Sequence, residues 1–213
     1  MSDFDALIVD FGGVLTTPLQ DSMESFADSL GLELQDVARA ALGAYAGTED
    51  RLVTDFETGR IGEAEFAGAF AQRLSATSGK AIPAEGIVAR IFGTLRLEEP
   101  MFEALEAARD GGLKTGLLSN SWGVALYPFD RFEGLFDAVV ISGQVGMRKP
   151  DRNIFDLVLE RLGSPDPARC IFVDDHPGHL RTGLELGMRT VLHRTPAQTV
   201  EELELLVGFR LRK

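Results

Sequence analysis

The feature that most limits how this chain can fold is a rhythm in its second half. Apolar runs near residues 114–118, 137–142, 170–174 and 189–193 alternate with amphipathic stretches near 100–111, 151–162 and 178–187. A further run of the same kind lies near residues 6–10. Runs this short, set between segments of helical period, predict parallel strands joined by right-handed crossovers. Gly111-Gly112, Gly163 and Gly187 stand where the intervening helices should stop. A last helix is expected to begin at Thr199, where Thr199-x-x-Glu202 reads as a capping box.

Residues 17–95 break this rhythm and contain no convincing strand. Leu19, Met23, Phe26, Ala27 and Leu30 share one helical face, which Gly31 ends. Phe66, Phe70 and Leu74 mark a second face, and Val37 and Leu42 fall on a third candidate between them. The expected fold class is α/β: a three-layer, Rossmann-like parallel sheet core of residues 1–16 and 96–213, with an all-helical insertion of residues 17–95. A chain of 213 residues has room for both parts and for a substantial buried core.

The net charge is −12, and the only basic run is the short Arg210-Leu211-Arg212-Lys213. That argues against nucleic acid as a partner, because binding it needs a concentrated cationic face. An anionic substrate would have to be drawn in by local features such as Lys149, a metal ion and helix N-termini. The single cysteine, Cys170, precedes a buried strand candidate and is expected to be a reduced core thiol, which fits a cytoplasmic setting. Neither a signal-like segment nor an apolar run of membrane-spanning length is visible, so export and a membrane partner are not expected. His176, His179 and His193 have no cysteine cluster beside them, which argues against zinc. Oligomeric state leaves no trace in the sequence.

Each strand candidate delivers polar residues at its end. The run Ala6-Leu7-Ile8-Val9-Asp10-Phe11-Gly12-Gly13 carries a carboxylate from an apolar strand into a glycine turn. Open α/β sheets bind ligands there, and glycines let the backbone approach an anion or metal closely. Leu117-Leu118 ends in Ser119-Asn120-Ser121, and Ile171-Phe172-Val173 ends in Asp174-Asp175. Arg148-Lys149-Pro150-Asp151 sets a cation just ahead of a proline-started helix. Taken singly, these are equally a turn aspartate, a solvated lysine and an acidic helix start. In their order and common placement they resemble the four motifs of the haloacid dehalogenase-like hydrolase superfamily, over essentially the whole chain.

Phosphoryl transfer to a carboxylate needs an in-line nucleophile, a metal and donors for the remaining charge. The resemblance implies that Asp10 attacks to form an aspartyl-phosphate, which water then hydrolyses. It implies that Ser119 donates to the phosphoryl oxygens, that Asn120 helps shape that hole, and that Lys149 stabilises Asp10 and the transferring group. It also implies Mg2+, held by Asp10, the backbone carbonyl of Gly12 and the Asp174-Asp175 pair, hard oxygen donors suited to that ion. Adjacent strand residues point to opposite faces. One acid therefore ligates directly while the other orients water or Lys149, and the resemblance favours Asp175 as the ligand. The insertion corresponds to a mobile helical cap that closes over the site and excludes water, with Gly12-Gly13 and Gly93 near its hinges.

One departure matters. Phosphatases of this superfamily usually carry a second aspartate two residues after the nucleophile as general acid and base; here the position is Gly12. Such help is typically worth about 10²–10⁴ in rate. Three readings are open. The first is a phosphatase acting on a small phosphorylated metabolite, slow on poor leaving groups. Asp10 to Leu15, Gly59-Arg60-Ile61 and Arg148 to Asp151 are similar to a helical-capped subgroup of bacterial sugar-phosphate phosphatases and the N-terminal phosphatase domain of soluble epoxide hydrolases. Some bacterial members of that subgroup also have glycine there. The second is a metal-independent 2-haloacid dehalogenase, against which the retained Asp174-Asp175 speaks. The third is a weakened member that binds a phosphorylated ligand. His179 could supply the missing proton transfer, or it caps the following helix. Trp122 is a candidate pocket residue, and His193 is expected to close the fifth strand.

Overall fold

The computed structural model describes residues 2–42 and 51–212. Strands β1 (Ala6–Val9), β2 (Lys114–Ser119), β3 (Ala138–Ile141), β4 (Cys170–Asp174) and β5 (Arg189–Leu192) form one sheet in the order β3-β2-β1-β4-β5. Every pairing is parallel. The central strand is buried along its length, and its side chains alternate between two cores. Leu7 and Val9 pack against Met101, Phe102, Leu105, Val200 and Leu203. These come from helices α6 (Glu99–Asp110) and α11 (Pro196–Val207). Ala6 and Ile8 face Ile154, Phe155, Val158 and Leu180, from α9 (Arg152–Arg161) and α10 (Pro177–Glu185). The three-layer α/β expectation is met. Register aligns the strand ends: Val9 pairs with Leu117 and with Val173, so the residues after β1, β2 and β4 emerge at one edge.

Between β1 and α6 the regular elements among the described residues are all helices: α1 (Leu19–Leu30), α2 (Leu34–Leu42), α3 (Leu52–Glu57), α4 (Glu63–Ser78) and α5 (Ile87–Ile91). They close around a core of their own that includes Phe26, Val37, Phe56, Phe66, Phe70, Leu74 and Ile91. Gly31 ends α1 with φ 61°. The side chain of Leu42 lies outside the described residues. The two chain crossings into this unit are tied by a Thr16–Leu97 antiparallel bridge, with Thr17 N donating to Arg96 O at 2.9 Å. That tie lies between the glycine positions expected near the hinges.

A second tie joins α3 to the end of β3. After β3 the chain makes α8 (Ser142–Val145), whose Ser142 Oγ donates to Glu57 O and accepts from Ser121 N. Gly59, at φ +70°, lies so close that a Cβ there would sit 2.5 Å from Gly143 O. The short α7 (Phe129–Phe132) lies between β2 and β3. One element starts elsewhere than expected: α11 begins at Pro196, and Thr195 Oγ1 accepts from Gln198 N at 3.3 Å. Proline suits the first helical position, where its missing N–H costs nothing, so the cap falls to the residue before it. Thr199 is instead buried inside the helix, its Oγ1 2.9 Å from His193 Nδ1. Among the described residues no helix is long and apolar enough to cross a membrane.

Candidate active site

Lys149 is the centre of the site. Its side chain is 0% exposed, and its Nζ lies 2.9 Å from Asp10 Oδ1 and 2.6 Å from Asp174 Oδ2. The lysine comes from the loop between α8 and α9, so something must fix its backbone. Asn120, at the end of β2, does so: its Nδ2 donates to Lys149 O at 3.0 Å and its Oδ1 accepts from Lys149 N at 2.8 Å. Both amide atoms are thereby engaged. Ser119 Oγ lies 2.9 Å from the Tyr127 hydroxyl, both residues being buried.

The two carboxylates that share the lysine differ in their other partners. Asp174 also accepts from His176 N at 2.8 Å and lies 3.0 Å from His179 Nδ1. Burial works against its charge, but Lys149 and His179 together hold it below the usual carboxylate range. Among the described residues Asp10 has only Lys149 and the Phe11 N–H, 2.7 Å from Oδ1. There burial wins over Lys149 and pushes the carboxyl above its usual range. For Lys149, burial disfavours the charge, yet Asp10 and Asp174 outweigh it and raise its affinity for the proton.

Asp175 takes the opposite direction from Asp174. It lines a cleft of about 390 Å³ together with Asp10, Gly12, Asn120, Trp122 and His179. Its Oδ2 lies so close to Gly13 that a Cβ on that residue would overlap it, and Gly13 holds φ +75°. Only glycine fits there on both counts. Asp10, Asp174 and His179 also group closely enough to hold an ion, but Lys149 already bridges two of the three. That leaves Asp10 and Asp175, with Gly12 beside them, lining the cleft as the candidate oxygen donors. The donor set fits a small hard cation. The charges fit too: Asp10, Asp174, Asp175 and Glu57 against Lys149 and Arg148 leave two carboxylates in excess, which a divalent cation offsets.

Glu57 and Tyr127, the latter paired with the expected Ser119, are functional candidates that no sequence pattern pointed to. Glu57, at the end of α3, has a side chain 7% exposed, lines the same cleft, and places Oε2 2.9 Å from Arg148 Nε. The approach is off the N–H direction, so neither atom gains a hydrogen bond from it. Burial raises the Glu57 carboxyl despite Arg148, His179 and Lys149. Arg148 Nη1 donates to Thr54 Oγ1 at 2.9 Å, adding a second contact from α3. His176, not His179, caps α10, its Nδ1 accepting from Gly178 N at 3.1 Å. Trp122 lines the cleft edge-on to Phe66 and Phe92. His193 follows β5, its N–H donating to Asp174 O at 3.0 Å.

Residues 4–187 match the family model for haloacid dehalogenase-like hydrolases. Bifunctional epoxide hydrolase 2 of Sus scrofa is 28% identical over 221 residues, which cover 97% of this chain and 39% of that protein. A sesquiterpene phosphatase of Aspergillus oryzae is 28% identical over 214 residues, covering 96% of this chain and 97% of the relative. The chain spans only a fifth to two fifths of the first curated relatives it matches. Among solved structures, a family enzyme of Bacteroides thetaiotaomicron in complex with magnesium and inorganic phosphate superposes with a TM-score of 0.67 at 25% identity. It covers 90% of this chain and 94% of its own.

Proposed function

Because the chain belongs to the haloacid dehalogenase-like hydrolases, we propose that it is a magnesium-dependent phosphatase acting on a small phosphomonoester, with residues 17–95 as a cap over the core. The observation that carries this reading is the single buried lysine shared by Asp10 and Asp174, with Asp175 facing the cleft beside them. Asp10 is the nucleophile: its carboxylate oxygen forms a bond to phosphorus while the bond to the ester oxygen breaks, and the leaving oxygen departs as the anion and takes its proton from water. Water then attacks phosphorus in the aspartyl-phosphate, returning the carboxylate and releasing phosphate. Lys149 offsets the charge of Asp10 and of the transferring oxygens. Asp174 and Asn120 act through Lys149, one on its ammonium and the other on its backbone.

Asp10, the Gly12 carbonyl and Asp175 would hold the magnesium ion. When bound, it neutralises phosphoryl oxygens and so offsets the excess negative charge of the cleft. The phosphatase named among the relatives and the magnesium and phosphate in the Bacteroides enzyme support the same reaction class. Gly12 leaves the leaving oxygen without the usual acid, so activated esters should react best. The test is phosphate release from p-nitrophenyl phosphate with and without chelator, run beside chloride release from 2-chloropropionate. Metal-dependent phosphate release is expected. Halide release that survives the chelator would replace the reading with a dehalogenase, and silence in both assays would leave a binding role.

A further inference from the structure

Resting on the phosphatase reading above, we infer that the alcohol released is apolar: the substrate is the monophosphate of an unbranched or flat hydrocarbon chain. The cleft that holds Asp10 shares Gly12, Leu19, Asn120 and Trp122 with a narrow throat of about 30 Å³. The throat in turn shares Phe11, Phe92, Leu95 and Leu126 with an outer pocket of about 250 Å³. Shared lining residues join the three in sequence, with Asp10 lining the first, and their walls combine residues of the helical unit's core with residues of the sheet core. Leu19, Leu95, Trp122 and Leu126 are each only half-buried, and each lines one or more of these cavities. A row of partly wet apolar side chains leading away from a phosphoryl site is surface that a hydrocarbon chain would cover.

The throat is also unsuited to a polyol. Its side-chain polar groups are already engaged: Ser119 with Tyr127, and both amide atoms of Asn120 with the Lys149 backbone. Sugar hydroxyls placed there would give up water against a lining that is mostly Phe11, Leu19, Phe92, Leu95 and Leu126, with few partners to gain.

The experiment is a chain-length series. Phosphate release by the magnesium-loaded protein is measured on ethyl, butyl, hexyl and octyl phosphate, with p-nitrophenyl phosphate and glucose 6-phosphate alongside. Each added methylene should raise kcat/KM by about fourfold until the outer pocket is filled. Glucose 6-phosphate should fall below hexyl phosphate, and Leu95→Asn and Leu126→Asn should each flatten the slope. Calorimetry of octyl against methyl phosphonate on Asp10→Asn gives a readout without turnover; tighter binding with a negative heat-capacity change is expected. A flat series with intact p-nitrophenyl phosphate hydrolysis overturns the apolar-substrate inference and leaves the phosphatase standing. Failure on every ester, with no phosphonate binding, overturns both.

Discussion

Replacing Lys149 with methionine tests the electrostatic core of the site. The substitution keeps most of the side-chain volume and removes one positive charge from between two carboxylates, one of them 0% exposed. Deleting one partner of a buried ion pair typically costs about 3–5 kcal/mol, because the other charge is left uncompensated. For a chain of this size that corresponds to a fall in Tm of about 6–20 °C near pH 7. The pH dependence is more diagnostic. In the native protein Asp174 is held below its unfolded pKa, so its contribution is present above that value and is lost as pH falls through the lower folded one. In Lys149→Met burial remains while the cation is gone, so the folded pKa rises above the unfolded one. Stability is then greatest below the unfolded value and declines as pH rises through the window above it. The gap between the two proteins should therefore widen from about pH 4 to pH 7, by at most about 1.4 kcal/mol per pH unit for each carboxylate affected. Urea unfolding across that range, with chelator present so that no cation substitutes for the ammonium, measures it. A gap that stays constant with pH would refute the reasoning.

Single positions carry the other predictions. A Cβ on Gly12 would meet Leu19 Cδ1 at 3.1 Å, the far end of a flexible side chain, so Gly12→Asp should fold. It should then raise kcat on alkyl esters by up to about 10²–10⁴, with little gain on p-nitrophenyl phosphate; equal gains on both would mean that leaving-group protonation is not what Gly12 lacks. Gly59→Ala adds a left-handed strain of about 1–2 kcal/mol and a clash with Gly143 O. Its Tm should drop by at least about 2–8 °C and its KM should rise as α3 lifts from the core; an unchanged KM would detach this contact from substrate binding. Burial pushes the Cys170 thiol up to about 12, so it should resist thiol reagents at pH 8 when folded and react fully in urea. Rapid labelling of the folded protein would contradict that.

What could be read from the sequence depended on whether the information was local. Asp10, Ser119 and the Asp174-Asp175 pair each end an apolar run, and parallel register brings such ends together, whereas Lys149 lies beyond α8, where register alone does not place it. The α11 start was misplaced because two capping patterns overlap: Thr195-x-x-Gln198 and Thr199-x-x-Glu202 both qualify, and Pro196 decides for the first. The Asn120 clamp on Lys149 spans 29 residues, and no local pattern encodes it. Glu57 looks like any glutamate near the end of an amphipathic helix. It faces the cleft because Gly59 and Ser142 set the angle at which α3 docks, and that is fixed by packing between distant segments.

The central claim is that the carboxylate of Asp10 itself takes the phosphoryl group. Rapid quench of the magnesium-loaded protein with p-nitrophenyl phosphate, followed by peptide mass analysis, tests it directly. The peptide containing Asp10 should gain the mass of one phosphoryl group in the native protein, and Asp10→Asn should show neither the adduct nor turnover. Undiminished phosphate release from Asp10→Asn, or an adduct on a different peptide, would contradict the account.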